Sequence, residues 1–150
     1  MDARPDLESI FPNLRLHSYR IASPTNKDYN CVAHSAGSSD AWWWPVPEGT
    51  KRVYWPPGLA REATLIVFVT AFATLGYVAC DGPYLEAGFE KVAIYADANG
   101  APTHAARQLP SGVWTSKLGR SVDIDHDAVE ALEGETYGKA VSFLRRPRQN

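Results

Sequence analysis

Residues 91–109 read KVAIYADANGAPTHAARQL, and this stretch decides the fold. Lys91–Ala96 combines β-branched and aromatic residues, Asn99-Gly100 is a strong hairpin-turn signal, and Thr103–Leu109 is predicted to be the partner strand. A second turn, Pro110-Ser111-Gly112, leads into a third predicted strand at Val113–Leu118. The stretch and its continuation therefore predict a three-stranded antiparallel meander.

Helical patterns precede this meander. Arg61–Leu75 repeats apolar residues at i, i+3, i+4, i+7 and i+10 and is followed by Gly76, which predicts the clearest helix. Cys31–Ala36 is predicted to form a short helix, with Asn30 as its N-cap and Gly37 as its stop.

The remaining segments are predicted to be mostly irregular. Ser38–Pro57 contains all but one of the tryptophans, and its prolines and glycines exclude a long regular element. Ser121–Glu135 is polar and is predicted to be a loop or a brief helix, and Tyr137–Leu144 is predicted to be the closing strand. Because helices and strands are segregated along the chain, the sequence predicts an α+β fold with a mostly antiparallel sheet.

Length and composition predict a single globular domain. The 150 residues are 45% hydrophobic and 21% charged, which is typical of a chain with a real core. We predict a lead-in at residues 1–28, the domain at residues 29–147 and a tail at residues 148–150. The basic cluster Arg145-Arg146-Pro147-Arg148 is interpreted as part of a solvated end.

Charge and hydropathy exclude some partners. A net charge of −2 gives no reason to expect nucleic acid as a partner. The longest apolar run, which begins at Leu65, is too short for a bilayer, and the N-terminus lacks the apolar run of a signal peptide. We therefore predict a cytoplasmic protein without membrane contact, whose two cysteines stay reduced.

Cys31 stands at the first turn of the short predicted helix. A helix N-terminus lowers the pKa of a thiol because its free N–H groups carry positive partial charge. The same N–H groups, together with the side-chain amide of Asn30, would stabilise an oxyanion. The position predicts a nucleophilic thiol at Cys31, whereas Cys80 is interpreted as a small buried hydrophobe.

A nucleophilic thiol needs a base within hydrogen-bond reach, and the chain has four histidines. His104 begins a central predicted strand, where it would face the helix that carries Cys31, so we choose it as the base. His34 is three residues from Cys31, but such side chains lie along one helix face and not across a cleft. The alternative interpretation of His104 is a structural histidine.

A third group that orients the imidazole is harder to place. Pairing about the second turn puts Arg107 opposite Ser116 and His104 opposite Gly119, so no carboxylate falls beside the imidazole. The candidates are polar residues on these strands or just after them, where the two aspartates would fold back: Gln108, Ser116, Asp123 and Asp125.

The tryptophans and two cations allow two interpretations each. Aromatic rings in a proline-rich loop line a groove or pin the loop to the core, and we favour pinning for most of them. Arg107 and Lys117 either bind a carboxylate or phosphate or are solvated charges. Cys-x-x-His without a second pair is a weak metal signal, so no metal or other cofactor is predicted. The candidate substrate-binding residues are Trp43, Trp44, Trp55, Gln108, Ser116 and Lys117.

Several segments resemble an uncharacterised bacterial domain family. They are Asn30–Gly37, Trp43-Trp44-Pro45, Tyr54-Trp55-Pro56, His104–Leu109, Trp114–Gly119 and Tyr137-Gly138. More distantly, the order of parts is similar to the papain-like cysteine peptidase superfamily, in which a cysteine begins a helix and a later histidine begins a strand. That resemblance implies a papain-like or NlpC/P60-like fold and a thiol–imidazole site. The chain departs from it in two places: Val113–Leu118 lacks the expected Asn or Asp, and Glu90-Lys91 stands where NlpC/P60-type enzymes have their histidine.

Two hypotheses for function follow. In the first, the chain is a thiol hydrolase or acyl-transfer enzyme that cleaves a peptide, isopeptide or side-chain amide, with Cys31 as nucleophile and His104 as base. In the second, it is a non-catalytic module that binds a protein or ligand through its tryptophan-rich loop. The missing carboxylate on the third strand favours the second hypothesis.

Overall fold

The structure is a computed structural model that describes residues 4–23, 26–118 and 121–148. Its first elements are α1 (Arg4–Ile10), a 3-10 helix (Pro12–Leu16) and β1 (Tyr19–Ser23). Three apolar side chains of this segment are buried in the core: Leu7, Phe11 and Leu14. Residues 4–23, which lie in the predicted lead-in, therefore supply part of the core and an edge strand of the sheet.

The short helix α2 (Cys31–Ser35) begins where the sequence predicts. Asn30 is extended, and its side-chain oxygen accepts a hydrogen bond from the backbone N–H of Ala33, which is the predicted N-cap interaction. Gly37 ends the helix in the left-handed region, with φ of 86°.

The tryptophan-rich segment forms two short parallel strands, β2 (Trp42–Trp43) and β3 (Val53–Tyr54). The clearest predicted helix is α3 (Leu65–Ala73), which is shorter than predicted at both ends. It begins later because the Thr64 hydroxyl accepts from the backbone N–H of Val67 and so caps the helix there. Arg61 instead donates to the carbonyl of Val46 in the loop.

The strands that follow α3 are β4 (Val78–Ala79), β5 (Phe89–Ala96), β6 (Pro102–Gln108), β7 (Trp114–Lys117), β8 (Asp123–His126) and β9 (Lys139–Pro147). Together with β1 they form one seven-stranded antiparallel sheet in the order β1-β8-β7-β6-β5-β9-β4. The fold is therefore α+β with a mostly antiparallel sheet, as predicted, and β5-β6-β7 is the predicted meander.

Two sequence-based expectations about the C-terminal third need correction. In Ser121–Glu135 the expected brief helix is present as a second 3-10 helix (Val129–Leu132), but the rest is not only loop. The segment also contains β8, and all four β8 residues are buried although three of them are polar. The basic cluster is not a solvated end, because Arg145 and Arg146 lie on β9 and form ion pairs with Glu86 and Glu90.

The sheet separates two hydrophobic cores, and its two faces are named here. The α2 face packs on α2 and α3 through Val92, Ile94 and Ala105. The opposite face, formed in the same strands by Ala93, Tyr95 and Ala106, packs on the N-terminal helices and the second 3-10 helix. Neighbouring residues of a strand point to different faces, so each strand contributes alternately to both cores.

The register between β6 and β7 differs from the predicted one by one residue. Arg107 lies opposite Thr115 and not opposite Ser116, and Gln108 lies opposite Trp114. Gly119, the predicted partner of His104, lies outside the described residues. A shift of one residue moves every side chain of a strand to the other face. Thr115 therefore shares the α2 face with Arg107, and Ser116 lies on the opposite face.

Candidate functional site

Cys31 lies within the core of the α2 face. The residue is 7% exposed and belongs to the same buried cluster as Val92, Ile94 and Ala105. Burial raises the pKa of the thiol to about 11, because the thiolate would lose its hydration. Backbone N–H groups of Ala105 and Val32 and the charge of Lys117 act in the lowering direction, but burial is the larger effect. The thiol is therefore protonated near neutral pH.

Asn30, the predicted oxyanion donor, has its side chain fully engaged. Its oxygen accepts from the backbone N–H groups of Ala33 and Trp43, and its nitrogen donates to the carbonyl of Trp43. The residue is 3% exposed. In this geometry Asn30 caps α2 and joins it to the tryptophan-rich loop.

His104 lies on the opposite face of the sheet from Cys31. Its neighbour Ala105 packs in the Cys31 core, so the alternation of β6 turns His104 away from the thiol. Its imidazole stacks on Tyr137, with ring centroids 4.1 Å apart and planes at 9°, and meets the edge of Tyr95. The structure therefore does not bring the predicted Cys31–His104 dyad together.

Ser116 joins His104 to His126 in a buried chain of hydrogen bonds. Its Oγ lies 3.0 Å from Nε2 of His104 and 2.8 Å from Nε2 of His126, whose Nδ1 is 2.8 Å from the carbonyl of Ala128. That carbonyl requires a proton on Nδ1 of His126, so Ser116 donates to His126 and accepts from His104. Burial lowers the pKa of both imidazoles, to about 4 for His126. Both are therefore neutral at neutral pH.

Gln108 also lies on the opposite face, paired with Trp114. Its amide nitrogen donates to the carbonyls of Pro83 and Gly112. Two predicted site residues, Gln108 and Ser116, are thus separated from Cys31 by the sheet.

The imidazole on the α2 face is His34. Its Nε2 lies 2.9 Å from Oγ1 of Thr115, and its Nδ1 lies 3.9 Å from Oδ2 of Asp123. The His34 side chain is 17% exposed, so this imidazole is partly accessible to solvent. Burial lowers the pKa of His34, while Asp123 acts in the raising direction. The predicted orienting carboxylate Asp123 therefore stands beside His34 and not beside His104.

Asp123 is the centre of this arrangement. Its Oδ2 accepts from the hydroxyls of Tyr29 and Ser23, each at 2.6 Å. Its Oδ1 is buried without a hydrogen-bond partner among the described residues. Burial, reinforced by the bond to Asp123, raises the pKa of Tyr29 to about 12, so its phenol remains a donor.

Arg107 completes a group that we name the polar cluster, which consists of Tyr29, His34, Arg107, Thr115 and Asp123. Arg107 lies opposite Thr115 on the same face, and its charge acts on the pKa of His34. Its Nε is buried without a hydrogen-bond partner in the described part of the chain. The polar cluster therefore contains one unused buried donor, on Arg107, and one unused buried acceptor, on Asp123.

Two other predicted residues border the polar cluster. The ammonium of Lys117 donates to the carbonyl of Ser121 and lies 5.3 Å from the ring centre of Tyr29. Asp125 lies opposite Thr115 and forms an ion pair with Arg20 at 2.8 Å. Lys117, Asp123 and Asp125 are therefore on the face of Cys31, as a common site requires.

The tryptophans mostly pin their loop to the core. Trp43 and Trp55 are buried, and Trp55 donates its indole N–H to the carbonyl of Ala60. Trp44 meets Phe68 of α3 edge-on at 5.2 Å. Trp42 is half-buried and lines a surface pocket of about 510 Å³ together with Lys27 and Arg52.

Within residues 4–23, 26–118 and 121–148, no three His, Cys, Asp or Glu side chains are grouped to hold a metal ion. In the same ranges, no helix is long and apolar enough to cross a bilayer. Both cysteines are free.

A family model described as a domain of unknown function, DUF7689, matches residues 20–145. The chain belongs to the DUF7689 family. The match includes residues 20–23 of β1 and every member of the polar cluster, so these are parts of the DUF7689 domain itself. Searches of curated proteins and of solved structures found no match.

The sequence analysis does not identify the hydrogen bond between Thr115 and His34 in this DUF7689 domain. The signal for Thr115 is the alternation of β7 and β8, in which Trp114 and Ile124 belong to the opposite face. Once these apolar residues are assigned to one face, Thr115 and Asp123 fall together on the other. The sequence argument does not choose His34 because it shares a helix with Cys31, and it does not consider a contact between His34 and a strand hydroxyl.

Proposed function

We propose that this DUF7689 domain binds a small polar ligand at the polar cluster on the α2 face. The observation that carries the proposal is the pair of unused buried groups, Nε of Arg107 and Oδ1 of Asp123, beside the partly exposed His34. Buried polar groups are nearly always hydrogen-bonded, so unpaired ones point to a ligand or an ordered water. Shifted pKa values at Tyr29 and His34 in one cluster are also typical of functional sites.

The chemistry of the polar cluster favours a ligand that carries an amide or a carboxylate. The guanidinium of Arg107 offers an N–H to a carbonyl or carboxylate oxygen. The free oxygen of Asp123 accepts an N–H or O–H from the ligand. A side-chain amide or an acylated amino acid provides both groups at once. Peptides carry the same groups, so a peptide or protein partner remains part of the proposal.

The tryptophan-rich loop has a supporting role in this proposal. Trp43 is fixed to Asn30, which caps the helix that carries His34, so the loop sets the position of α2 over β6 and β7. Tyr54 is exposed and packs against the ring of Trp43 at 4.6 Å. Tyr54 is thus the exposed aromatic ring of the loop, and Trp42 and Trp44 are half-buried.

The histidines themselves provide the test. We would label them with ¹³C and titrate the protein with N-acetylglutamine, which combines a carboxylate with two amides, while recording the ring resonances. We expect the His34 resonance to shift with saturation, whereas His104 and His126, sealed on the opposite face, stay unchanged. Arg107→Gln should raise the Kd for N-acetylglutamine by about tenfold or more, because a charge-assisted hydrogen bond contributes about 1.5–3 kcal/mol.

Arg15→Gln is the matched control, because Arg15 lies on the N-terminal 3-10 helix and its guanidinium is mostly exposed. An unchanged His34 resonance at millimolar N-acetylglutamine would contradict the proposed ligand class. A response that is equal in all four histidines would mean that binding is not confined to the polar cluster.

A thiol hydrolase of papain-like architecture is the second candidate. It is supported by the backbone N–H groups that face the Cys31 sulfur and by the contact of α2 with β6 and β7. Alkylation with iodoacetamide distinguishes the two candidates. With a pKa of about 11 and a 7% exposed residue, Cys31 should react far more slowly than the half-buried Cys80. Faster reaction at Cys31 than at Cys80 would favour the thiol enzyme.

A further inference from the structure

We propose that the hydroxyl of Thr115 is an acyl-accepting nucleophile, with His34 as its general base and Asp123 as the residue that positions the imidazole. This inference rests on the proposed binding site, since it adds a reaction to the ligand that the polar cluster receives. It places the chemistry at a threonine and leaves Cys31 as a core residue.

The geometry has the three relations that an activated hydroxyl needs. Oγ1 of Thr115 is 2.9 Å from Nε2 of His34, which is a direct hydrogen bond. Nδ1 of His34 is 3.9 Å from the Asp123 carboxylate, close enough for electrostatic orientation. Thr115 is held by pairing with both β6 and β8, so the strand fixes its position rigidly.

The proton on His34 has a preferred location in this arrangement. The negative carboxylate of Asp123 favours the tautomer that carries its proton on Nδ1. Nε2 is then the acceptor, and Thr115 must be the donor in their hydrogen bond. This is the arrangement in which a base can remove a hydroxyl proton.

Arg107 supplies the hydrogen-bond donor for the oxyanion. It lies directly opposite Thr115 on β6, so the two side chains leave the sheet on the same face. Its Nε–H is buried and unpaired, which leaves it available to a developing oxyanion beside the threonine. Such a donor is already in place and desolvated before the reaction begins.

The reaction balances without a cofactor. Oγ1 of Thr115 attacks the carbonyl carbon of an ester or amide, and His34 takes the hydroxyl proton as the C–O bond forms. His34 returns that proton to the departing alcohol or amine when the bond to the leaving group breaks. Water then attacks the acyl-threonine while His34 removes a proton from the water. The bond between the acyl carbon and Oγ1 breaks, and His34 returns the proton to Oγ1, so that the carboxylic acid and the free threonine hydroxyl result.

The test uses the full chain and p-nitrophenyl acetate as the acyl donor. In a Cys31→Ser, Cys80→Ser background, we expect an acetyl group on the peptide that contains Thr115, removable by alkaline hydroxylamine because it is an oxygen ester. Thr115→Val should abolish this product and Thr115→Ser should retain it. His34→Gln, which keeps a hydrogen-bonding amide but no base, should slow its formation about a hundredfold.

Thr103→Val is the matched control. Thr103 is also a strand threonine, half-buried where Thr115 is 5% exposed. Its hydroxyl donates to the carbonyl of Tyr137, and no imidazole bonds to it in the described structure. Acetylation of Thr115 should be unchanged in this variant. Absence of the Thr115 ester in folded protein, or an equal rate in His34→Gln, would overturn the inference.

The positioning role of Asp123 needs a readout that a merely structural role would not move. The charged and titratable groups around His34 are Tyr29, whose ring stacks on the imidazole, and Arg107, Lys117, Asp123 and Asp125. Among them, Asp123 stabilises the imidazolium most, so Asp123→Asn should move the midpoint of the pH–rate profile to lower pH. A slower reaction with an unmoved midpoint would assign Asp123 a structural role only and remove it from the mechanism.

The outcomes separate this inference from the proposed function. A His34 resonance that responds to N-acetylglutamine, without acetylation of Thr115, leaves a binding site and overturns the reaction. Acetylation of Thr115 without any response to N-acetylglutamine supports the reaction and contradicts the proposed ligand class.

Discussion

On the α2 face of the sheet, His34 bonds to Thr115 beside a carboxylate; on the opposite face, His104 and His126 share the hydroxyl of Ser116. Both arrangements combine imidazole with a hydroxyl of β7. They differ in access, because His34 is partly exposed whereas His104 and His126 have at most 1% exposure. They also differ in charge, since Asp123 and Arg107 join only the first.

This difference separates two roles of the same chemistry. A sealed hydrogen-bonded chain specifies how β6, β7 and β8 fit together, because Ser116 bonds to both imidazoles and His126 bonds to the carbonyl of Ala128. Only Nδ1 of His104 lacks a hydrogen-bond partner in this chain among the described residues. The His34–Thr115 pair is instead partly exposed and lies beside the unpaired Nε of Arg107 and Oδ1 of Asp123, which makes it a weak structural element and a suitable place for a ligand. If this distinction is sound, mutations on the opposite face should change stability, and mutations on the α2 face should mainly change binding or reaction.

The largest effect is expected for Ser116→Ala. The variant leaves Nε2 of both His104 and His126 unpaired in an apolar core, and each unsatisfied buried group costs about 1–3 kcal/mol. We expect the free energy of unfolding in urea to fall by about 2–4 kcal/mol. Ser111→Ala is the control, since this exposed turn serine accepts from the N–H of Val113 and should change stability by less than about 1 kcal/mol. Equal losses in the two variants would contradict a structural role for the sealed chain.

Residues 115 and 116 also mark how far the sequence could predict the structure. The hairpin signals at 91–118 are local, so the meander follows from turn chemistry. The cap of α2 is equally local and follows from capping chemistry at Asn30. The register of β6 on β7 depends on how the second turn closes, and a shift of one residue exchanges the faces of Thr115 and Ser116. The dyad of Cys31 and His104 depends on which face His104 takes, and spacing along the chain does not determine that.

The strand β8 shows a second limit. Asp123-Ile124-Asp125-His126 is polar by composition and predicts a loop, yet its polar side chains are buried against partners distant in sequence. Asp123 meets Tyr29 and His34, and His126 meets Ser116. Such pairs between segments far apart carry no short-range signal. The candidate site was therefore partly predicted in its residues, such as Asp123 and Lys117, but not in its partnerships.

Acidification should produce an effect of similar or smaller size. It acts on the sealed imidazoles and also on His34, whose pKa is likewise lowered by burial. The pKa of His126 is about 4 in the folded protein against an ordinary 6.5, because burial disfavours its charged form. Between these values the unfolded chain binds a proton that the folded protein does not. The stability contributed by neutral His126 is therefore complete above about pH 6.5 and is lost as the pH falls towards 4, by about 3 kcal/mol at most. The lowered pKa of His104 acts in the same direction.

Urea titrations across that pH window measure this loss. Asp125 and Asp127 act to raise the pKa of His126 and His17 acts to lower it, so all three belong to the environment that is tested. His126→Gln should flatten the pH dependence, whereas His17→Gln, at the surface, should leave most of it in place. A free energy of unfolding that stays constant from pH 6.5 to 4 would mean that the sealed imidazoles are accessible to protons when the chain is folded.

The smallest stability effect is expected for Thr115→Val, and it decides the comparison with Ser116→Ala. The substitution preserves the shape of the side chain and removes one hydroxyl. Water can take over the lost hydrogen bond to His34, because the His34 side chain is 17% exposed. We expect a loss of about 1 kcal/mol or less in urea unfolding, against the two- to fourfold larger loss for Ser116→Ala. A loss as large as that of Ser116→Ala would make the His34–Thr115 bond structural, like the chain on the opposite face. A small loss would mean that the stability of the fold does not depend on the His34–Thr115 bond, as we expect if these residues serve a ligand or a reaction.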